Sequence, residues 1–245
     1  MQAAAPSPEG ALTRFSSRPA RHLRAVLAAA LFLPVSFLAA QPWEEGAFRP
    51  PDLVELTALD STIRLDIRYA TARNFMHRPM YAEARAFLQR PAARALLRAH
   101  RALLASGYGL LVFDAYRPWS VTKKFWDETP REKRKFVANP AKGSKHNRGC
   151  AVDCSLYDRA SGAEVEMTSP YDDFTPRAAA RFPGGTPSQH RARDFLRHAM
   201  ESAGFAVNPD EWWHFDFREW KSYRVLDIPF AEITPPARPP AQRAP

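Results

Sequence analysis

Two short stretches of this chain carry histidine and carboxylate side chains into runs that otherwise read as buried strand. The first is Ser144-Lys-His-Asn-Arg-Gly-Cys-Ala-Val-Asp153, continuing into Cys154-Ser-Leu-Tyr157. The second is Glu211-Trp-Trp-His214, which opens the aromatic run Trp212–Phe217. Two histidines and a carboxylate are a common ligand set for catalytic zinc, with the fourth position left for water. A second carboxylate beside that water can act as general base. Here the set is His146, Asp153 and His214, with Glu211 as the base. His146 and Asp153 are seven positions apart, so an unbroken strand would point them to opposite faces. Gly149 can reset the alternation through a bulge or a turn with positive φ. Glu211 and His214 would oppose each other too, so the Pro209-Asp210 turn is expected to hold Glu211 in the loop entering the strand. Taken alone, a histidine among aromatics such as His214 is a core or surface residue; the composite favours a metal. His77, His100, His190 and His198 lack such partners and read as solvent or packing residues.

The rest of the chain supplies a frame for these segments. Thr62–Tyr69 alternates apolar and charged residues, the pattern of a half-buried strand. Pro91 opens a helix that Gly107 stops, and a buried strand Gly109–Phe113 runs into Asp114-Ala-Tyr-Arg-Pro118. A helix is expected over Ser120–Val137 with a break near Pro130, a turn at Ser161-Gly162, and a further helix from Ser188 to Ser202. Strands and helices do not alternate strictly, and no phosphate-cradling glycine loop is present. The expected fold is therefore a single α+β domain: a mainly antiparallel central sheet, flanking helices, and the metal site at the sheet.

Ala25–Ala39 is an uncharged, mostly apolar run behind an arginine cluster, followed by small residues and then a polar stretch. This is the layout of a secretory signal peptide, and the run is short for a membrane span. The expected organisation is a signal peptide over 1–40, a loose lead-in over 41–51, a catalytic domain over 52–230 and a proline-rich flexible tail over 231–245. The mature protein is expected to be exported, to a bacterial periplasm, with no stable membrane span after signal removal. An oxidising compartment permits disulfides, but Cys150 and Cys154 on one strand would sit about 13 Å apart, beyond bridging distance. Two buried free thiols are expected. Of the net charge of +9, residues 1–40 account for +3 (four Arg against Glu9), which leaves +6. The basic run Arg131–Lys135 reads as a solvated helix face, and no nucleic-acid motif accompanies it. Nothing in the sequence fixes the oligomeric state.

In this order the motifs resemble the zinc D-alanyl-D-alanine dipeptidases of the vancomycin-resistance type, over most of residues 52–230. Ser144-x-His-x-x-Gly-x-Ala-x-Asp153 and Glu211-Trp-Trp-His214 carry the resemblance. Tyr69-Ala-Thr-Ala-Arg-Asn-Phe75 is similar to the family's Tyr-Ala-Thr-x-x-Asn-Phe. Asp114-Ala-Tyr-Arg-Pro118 matches Asp-Gly-Tyr-Arg-Pro with Ala115 for Gly, and Met167-Thr-Ser-Pro-Tyr-Asp172 matches Met-Gly-Ser-x-Phe-Asp. The resemblance implies one zinc per chain on His146, Asp153 and His214. It implies Glu211 as the base that takes a proton from water and passes it to the leaving amine, and Arg117 as the donor to the oxyanion. Asp172 and the backbone carbonyl of Tyr69 would hold the substrate's ammonium group, and Ser144 would help to position the dipeptide. Without it, Arg117 reads first as a surface ion pair after a strand, and Asp172 as a loop residue. The segment between Arg117 and His146 is shorter than in the vancomycin-resistance enzymes, which loosens the inference of dipeptide-only specificity. The implied activity is hydrolysis of D-Ala-D-Ala, a cell-wall dipeptide. The alternatives are a carboxypeptidase acting on acylated peptidoglycan stems and a non-catalytic wall-binding module that retains zinc.

Overall fold

The computed structural model describes residues 41–234. The expected signal peptide, and the tail from residue 235 onward, lie outside the described residues. Strand β1 (Leu53–Glu55) leads into a single helical turn, α1 (Leu56–Leu59), and then a short strand β2 (Arg64–Leu65). Strand β3 (Phe87–Gln89) pairs antiparallel with β1, matching Val54 to Leu88, and feeds directly into α2 (Arg90–Ala105). Pro91 suits the first turn of α2, where a missing N–H costs nothing. Ala92, Leu96, Ala99 and Leu103 form its buried stripe. Gly107, at φ 86°, takes the chain from the helix end into β4 (Tyr108–Asp114).

Helix α3 (Trp119–Glu128) follows β4, and β5 (Ala151–Asp158) forms the middle of the main sheet. Helix α4 (Pro187–Ser202) begins with a reciprocal cap: the Thr186 hydroxyl accepts from the Gln189 N–H while the Gln189 side chain accepts from the Thr186 N–H. Strands β6 (Phe205–Asn208) and β7 (Glu211–Phe217) form the last hairpin. The five-stranded sheet runs β2-β4-β5-β7-β6, with only the β2–β4 pair parallel. This is the expected α+β architecture with a mainly antiparallel sheet. Cys150 and Cys154 are both free and buried.

Three local expectations need correction, and the break expected near Pro130 is present. In Thr62–Tyr69 only Arg64 and Leu65 form strand, and Arg68–Ala70 is a 3-10 turn. Ile63, Ile67 and Tyr69 are buried as the alternation implies, but only Arg64 and Leu65 pair with β4, at Leu111 and Val112, before the chain turns away. The second helix ends at Glu128, and Arg131–Phe136 is a separate 3-10 segment. Thr129 is extended because the following Pro130 disfavours the helical region for its predecessor. The lead-in is not loose: Glu44 pairs with Arg148, and the Arg49 N–H donates to the Ser222 carbonyl at 2.8 Å. Packing also extends beyond residue 230, because Ile233 is buried in the core.

Candidate active site

The centre of the sheet carries a row of ionisable residues at one level. Asp153 on β5 pairs across to His214 on β7 and to Asp114 on β4, where a register shift follows Val112. All three are buried. His146 joins them from a 3-10 turn, His146–Arg148, that precedes β5. Gly149 ends this turn at φ 65°, which supplies the expected reset between His146 and Asp153. The positive φ favours glycine, and a Cβ there would lie 2.5 Å from a Leu53 methyl and 3.3 Å from the Gln89 backbone nitrogen, so Leu53 would have to move to admit one. Asn147 fixes the turn: its side chain donates to the Arg117 carbonyl at 2.9 Å and the Thr122 hydroxyl at 2.8 Å, and accepts from the Ser144 N–H at 2.8 Å.

His146, Asp153 and His214 offer ligand atoms that all lie within 4.8 Å of one another. The outer nitrogens reveal the tautomers. His146 Nδ1 is 2.6 Å from the Ala115 carbonyl, and His214 Nε2 is 2.9 Å from Asp216 Oδ1, so both carry protons. In neutral rings the inner atoms then present lone pairs to each other. His146 Nε2 lies 3.1 Å from His214 Nδ1, and these two nitrogens lie 3.3 and 3.0 Å from Asp153 Oδ1. That oxygen is buried and accepts no hydrogen bond. One proton could bridge two of the three atoms; a cation engages all three. The donor set, two imidazole nitrogens and one carboxylate oxygen, suits zinc.

Supporting contacts surround this cluster. Tyr171 donates to Asp153 Oδ2 at 3.0 Å, and Lys145 pairs with Asp216 at 3.1 Å. Burial alone would raise the Asp153 carboxyl, yet its two histidine neighbours hold it well below the usual carboxylate range. Burial would lower the His214 pKa, but the Asp153 and Asp216 carboxylates against its two ring nitrogens draw it well above the usual imidazole range, so the inner nitrogen holds a proton wherever no cation takes its place. Asp216, two positions after His214 and therefore on the same strand face, was legible from the alternation but went unused in the sequence reading. Asn147 and Tyr171 gave no sequence signal of this kind, because their roles come from contacts across the fold.

Glu211 stands beside the cluster, its Oε2 3.7 Å from His214 Nδ1. It is the first residue of β7 rather than part of the entry loop, and the irregularity lies opposite it. The β6–β7 register shifts between Val207 and Asn208, bringing Asn208 level with Glu211. Asn208 Nδ2 donates to Glu211 Oε2 at 2.8 Å. Burial raises the Glu211 pKa, the charge on His214 opposes this, and Asp153 adds to the rise.

Arg117 is buried and gripped by Asp114, with Nε and Nη2 donating to Oδ2 at 3.0 and 2.6 Å. Tyr81 and the Ala115 N–H hold the other Asp114 oxygen. Asp172 has a positive φ, 60°, which is unusual for a non-glycine residue. Its Oδ1 accepts from the Tyr69 hydroxyl at 3.0 Å, while Oδ2 is buried without a partner. Burial, with Asp153 adding to it, pushes the Asp172 carboxyl well above its ordinary range. The Tyr69 carbonyl already accepts from the Met80 and Tyr81 N–H groups at 2.7 and 3.0 Å. Tyr69 therefore meets this site through its hydroxyl, not through the expected carbonyl. The Ser144 hydroxyl accepts from the His146 N–H at 3.2 Å.

All eight residues line one cavity of about 720 Å³. The connection between Arg117 and His146 contributes Phe125 and the stretch 135–138 to its wall.

A family model described as D-ala-D-ala dipeptidase, of the M15 peptidases, matches residues 50–231. The D-alanyl-D-alanine dipeptidase of Escherichia coli (strain K12) is 31% identical over 180 residues, covering 74% of this chain and 92% of that one. The enzyme of the same name from Enterococcus faecalis (strain ATCC 700802 / V583) is 32% identical over 188 residues, covering 69% and 89%. Among solved structures, the LdcB LD-carboxypeptidase superposes with a TM-score of 0.43 at 20% identity, over 72% of this chain and 74% of its own.

Proposed function

This chain belongs to the D-Ala-D-Ala dipeptidase family of M15 peptidases, and on that premise we propose that it is an exported, zinc-dependent hydrolase cleaving free D-Ala-D-Ala into two D-alanines. His146, Asp153 and His214 would hold the zinc. When bound, the metal lowers the pKa of water and polarises the scissile carbonyl. Glu211, one oxygen fixed by Asn208, takes a proton from the attacking water and returns it to the departing amine. Its raised pKa brings it closer to the range in which one carboxyl can do both. Arg117 donates to the developing oxyanion. Because Asp114 already fixes the guanidinium plane, no reorganisation is needed as charge develops. Ser144 lies beside His146, where it can position the dipeptide.

The observation that carries the preference for a free dipeptide is Asp172. A buried carboxylate oxygen without a partner is costly, and a substrate ammonium group would complete it. An acylated amine has no positive charge to offer there, so the carboxypeptidase alternative leaves Asp172 unexplained. A non-catalytic module has no need of Glu211 or Arg117. The arginine-flanked apolar run before residue 41 supports export, and in an envelope the activity would serve salvage of wall-derived dipeptide.

The test is D-alanine release by purified, zinc-loaded protein, given D-Ala-D-Ala and its N-acetyl form in parallel. Release from the free dipeptide alone is expected; release from the acetylated form would move the protein to the carboxypeptidases. Glu211→Ala should abolish turnover and leave the metal content at one per chain.

A further inference from the structure

The cavity is far larger than a dipeptide with two methyl side chains requires. At about 720 Å³ it falls within the range, roughly 300–1,000 Å³, that encloses drug-sized ligands. The surplus has a definite chemistry. Starting at Tyr69, whose hydroxyl bonds Asp172, a chain of aromatic rings runs along the wall. Tyr69 packs on Phe125 at 4.8 Å between centroids, Phe125 on Phe75 at 5.2 Å, Phe75 on Phe174 at 5.2 Å, and Phe174 stacks on Phe136 at 4.7 Å with the rings 3° from parallel. All five residues line the cavity, and Phe75, Phe136 and Phe174 keep part of their surface open. Rings that only filled a core would be closed on every side.

We infer that this aromatic strip is the subsite for the side chain of the substrate's N-terminal residue, and that the enzyme prefers amine-free dipeptides bearing a bulky apolar group there, ahead of D-Ala-D-Ala. The inference rests on the proposed placing of the substrate ammonium on Asp172. With the amine at that carboxylate, the adjacent Cα lies at the Tyr69 end of the strip. A methyl group there leaves most of the apolar wall facing water, whereas a branched or aromatic side chain covers it. With the amine at Asp172 and the scissile bond at the metal ligands, the C-terminal residue would lie beyond the metal from the strip, so added bulk there gains nothing from these rings.

The experiment compares kcat/KM of the zinc-loaded protein for D-Ala-D-Ala, D-Leu-D-Ala and D-Ala-D-Leu. D-Leu-D-Ala should exceed D-Ala-D-Ala by about 10-fold or more, the scale on which added methylenes are discriminated in an apolar pocket. D-Ala-D-Leu should show no such gain. Phe136→Ala and Phe174→Ala should each lower the ratio of the D-Leu-D-Ala to the D-Ala-D-Ala value; a ratio is insensitive to a general loss caused by movement of the Asp172 loop. Cleavage of D-Ala-D-Ala with D-Leu-D-Ala equal or slower would overturn the subsite alone. Absence of cleavage of all three, with zinc bound, would overturn the dipeptidase reading and the subsite with it.

Discussion

At the scale of single residues, the site is a set of carboxylates in contrasting surroundings. Asp153 has two imidazoles against it and is held low, while Asp172 is buried with one phenol hydroxyl and an unpartnered oxygen, which Arg117 only partly offsets, and is pushed high. The folded state thus binds the Asp172 proton more tightly than the unfolded chain does. Its stabilising contribution is complete below about pH 3.9, the ordinary aspartate value, and is lost as pH rises through the folded pKa. Asp172→Asn does not titrate and tolerates the positive φ. Its Tm advantage over the parent, in metal-free melts, should therefore grow as pH rises above about 4. At the same time kcat/KM for D-Ala-D-Ala should fall about 10- to 100-fold, the worth of one charged hydrogen bond. A constant Tm difference between pH 4 and 8 would remove Asp172 from this role. Tyr171 offers a second test. The family pattern has Phe at this position, so the hydroxyl that donates to Asp153 Oδ2 is a feature of this chain. Outer contacts of this kind orient a ligand and typically tune metal affinity 10- to 100-fold. Tyr171→Phe should therefore release zinc to a competing chelator at about tenfold lower chelator concentration. Unchanged competition would show that the hydroxyl only fills space.

At the scale of elements, the sequence was most legible where a periodic pattern and a stop signal agreed. Helix α2, between Pro91 and Gly107, follows the expected limits closely, and β7 covers the expected aromatic run with Glu211 added at its start, whereas its hairpin partner β6 gave no signal. It was least legible where a partner decides the outcome. The alternation in Thr62–Tyr69 correctly identified buried side chains but not the two-residue strand, because strand also requires a ladder with a neighbour, and here only Arg64 and Leu65 pair with β4. The Tyr69 carbonyl could not be known to be engaged, since its donors, Met80 and Tyr81, arrive through a loop without periodicity. Gly149 was legible because parity alone demanded a break between His146 and Asp153. That break is a steep local requirement: the φ is positive, and a Cβ would run into Leu53 and approach the Gln89 backbone. Gly149→Ala should cost about 1–2 kcal/mol for the left-handed backbone alone, with the overlap adding to it. Because the turn carries His146, metal affinity should fall together with Tm. A stable Gly149→Ala protein with unchanged zinc affinity would mean that β5 can present Asp153 without this turn.

At the scale of the whole domain, the segments that begin and end it are laced together behind the metal site. Arg148, on the same turn as His146, donates to Glu44 and to the Tyr223 carbonyl, and its guanidinium lies 5.3 Å from the centre of the Trp220 ring. The other Glu44 oxygen accepts from the Val225 N–H at 2.7 Å. Arg49 ties the same region down through Glu219 and the Ser222 carbonyl. A chain released after Ala40 has Glu44 as its fourth residue, so the proposed export cleavage and domain stability meet at one side chain. Removing Glu44 leaves the Arg148 guanidinium buried with a single carbonyl, and an uncompensated charged group of this kind costs about 1–3 kcal/mol. For a domain of this size that corresponds to a Tm lower by about 2–10 °C. Glu44→Ala and a chain starting at residue 47 should show this loss to similar extents, whereas a chain starting at residue 41 should melt like the longer protein. Since Arg148 shares its turn with His146, zinc should protect the shortened chain less than it protects the one starting at residue 41. If both starts melt together and take the same protection from zinc, the lead-in is decoration, and the turn is held by Asn147 and Gly149 alone.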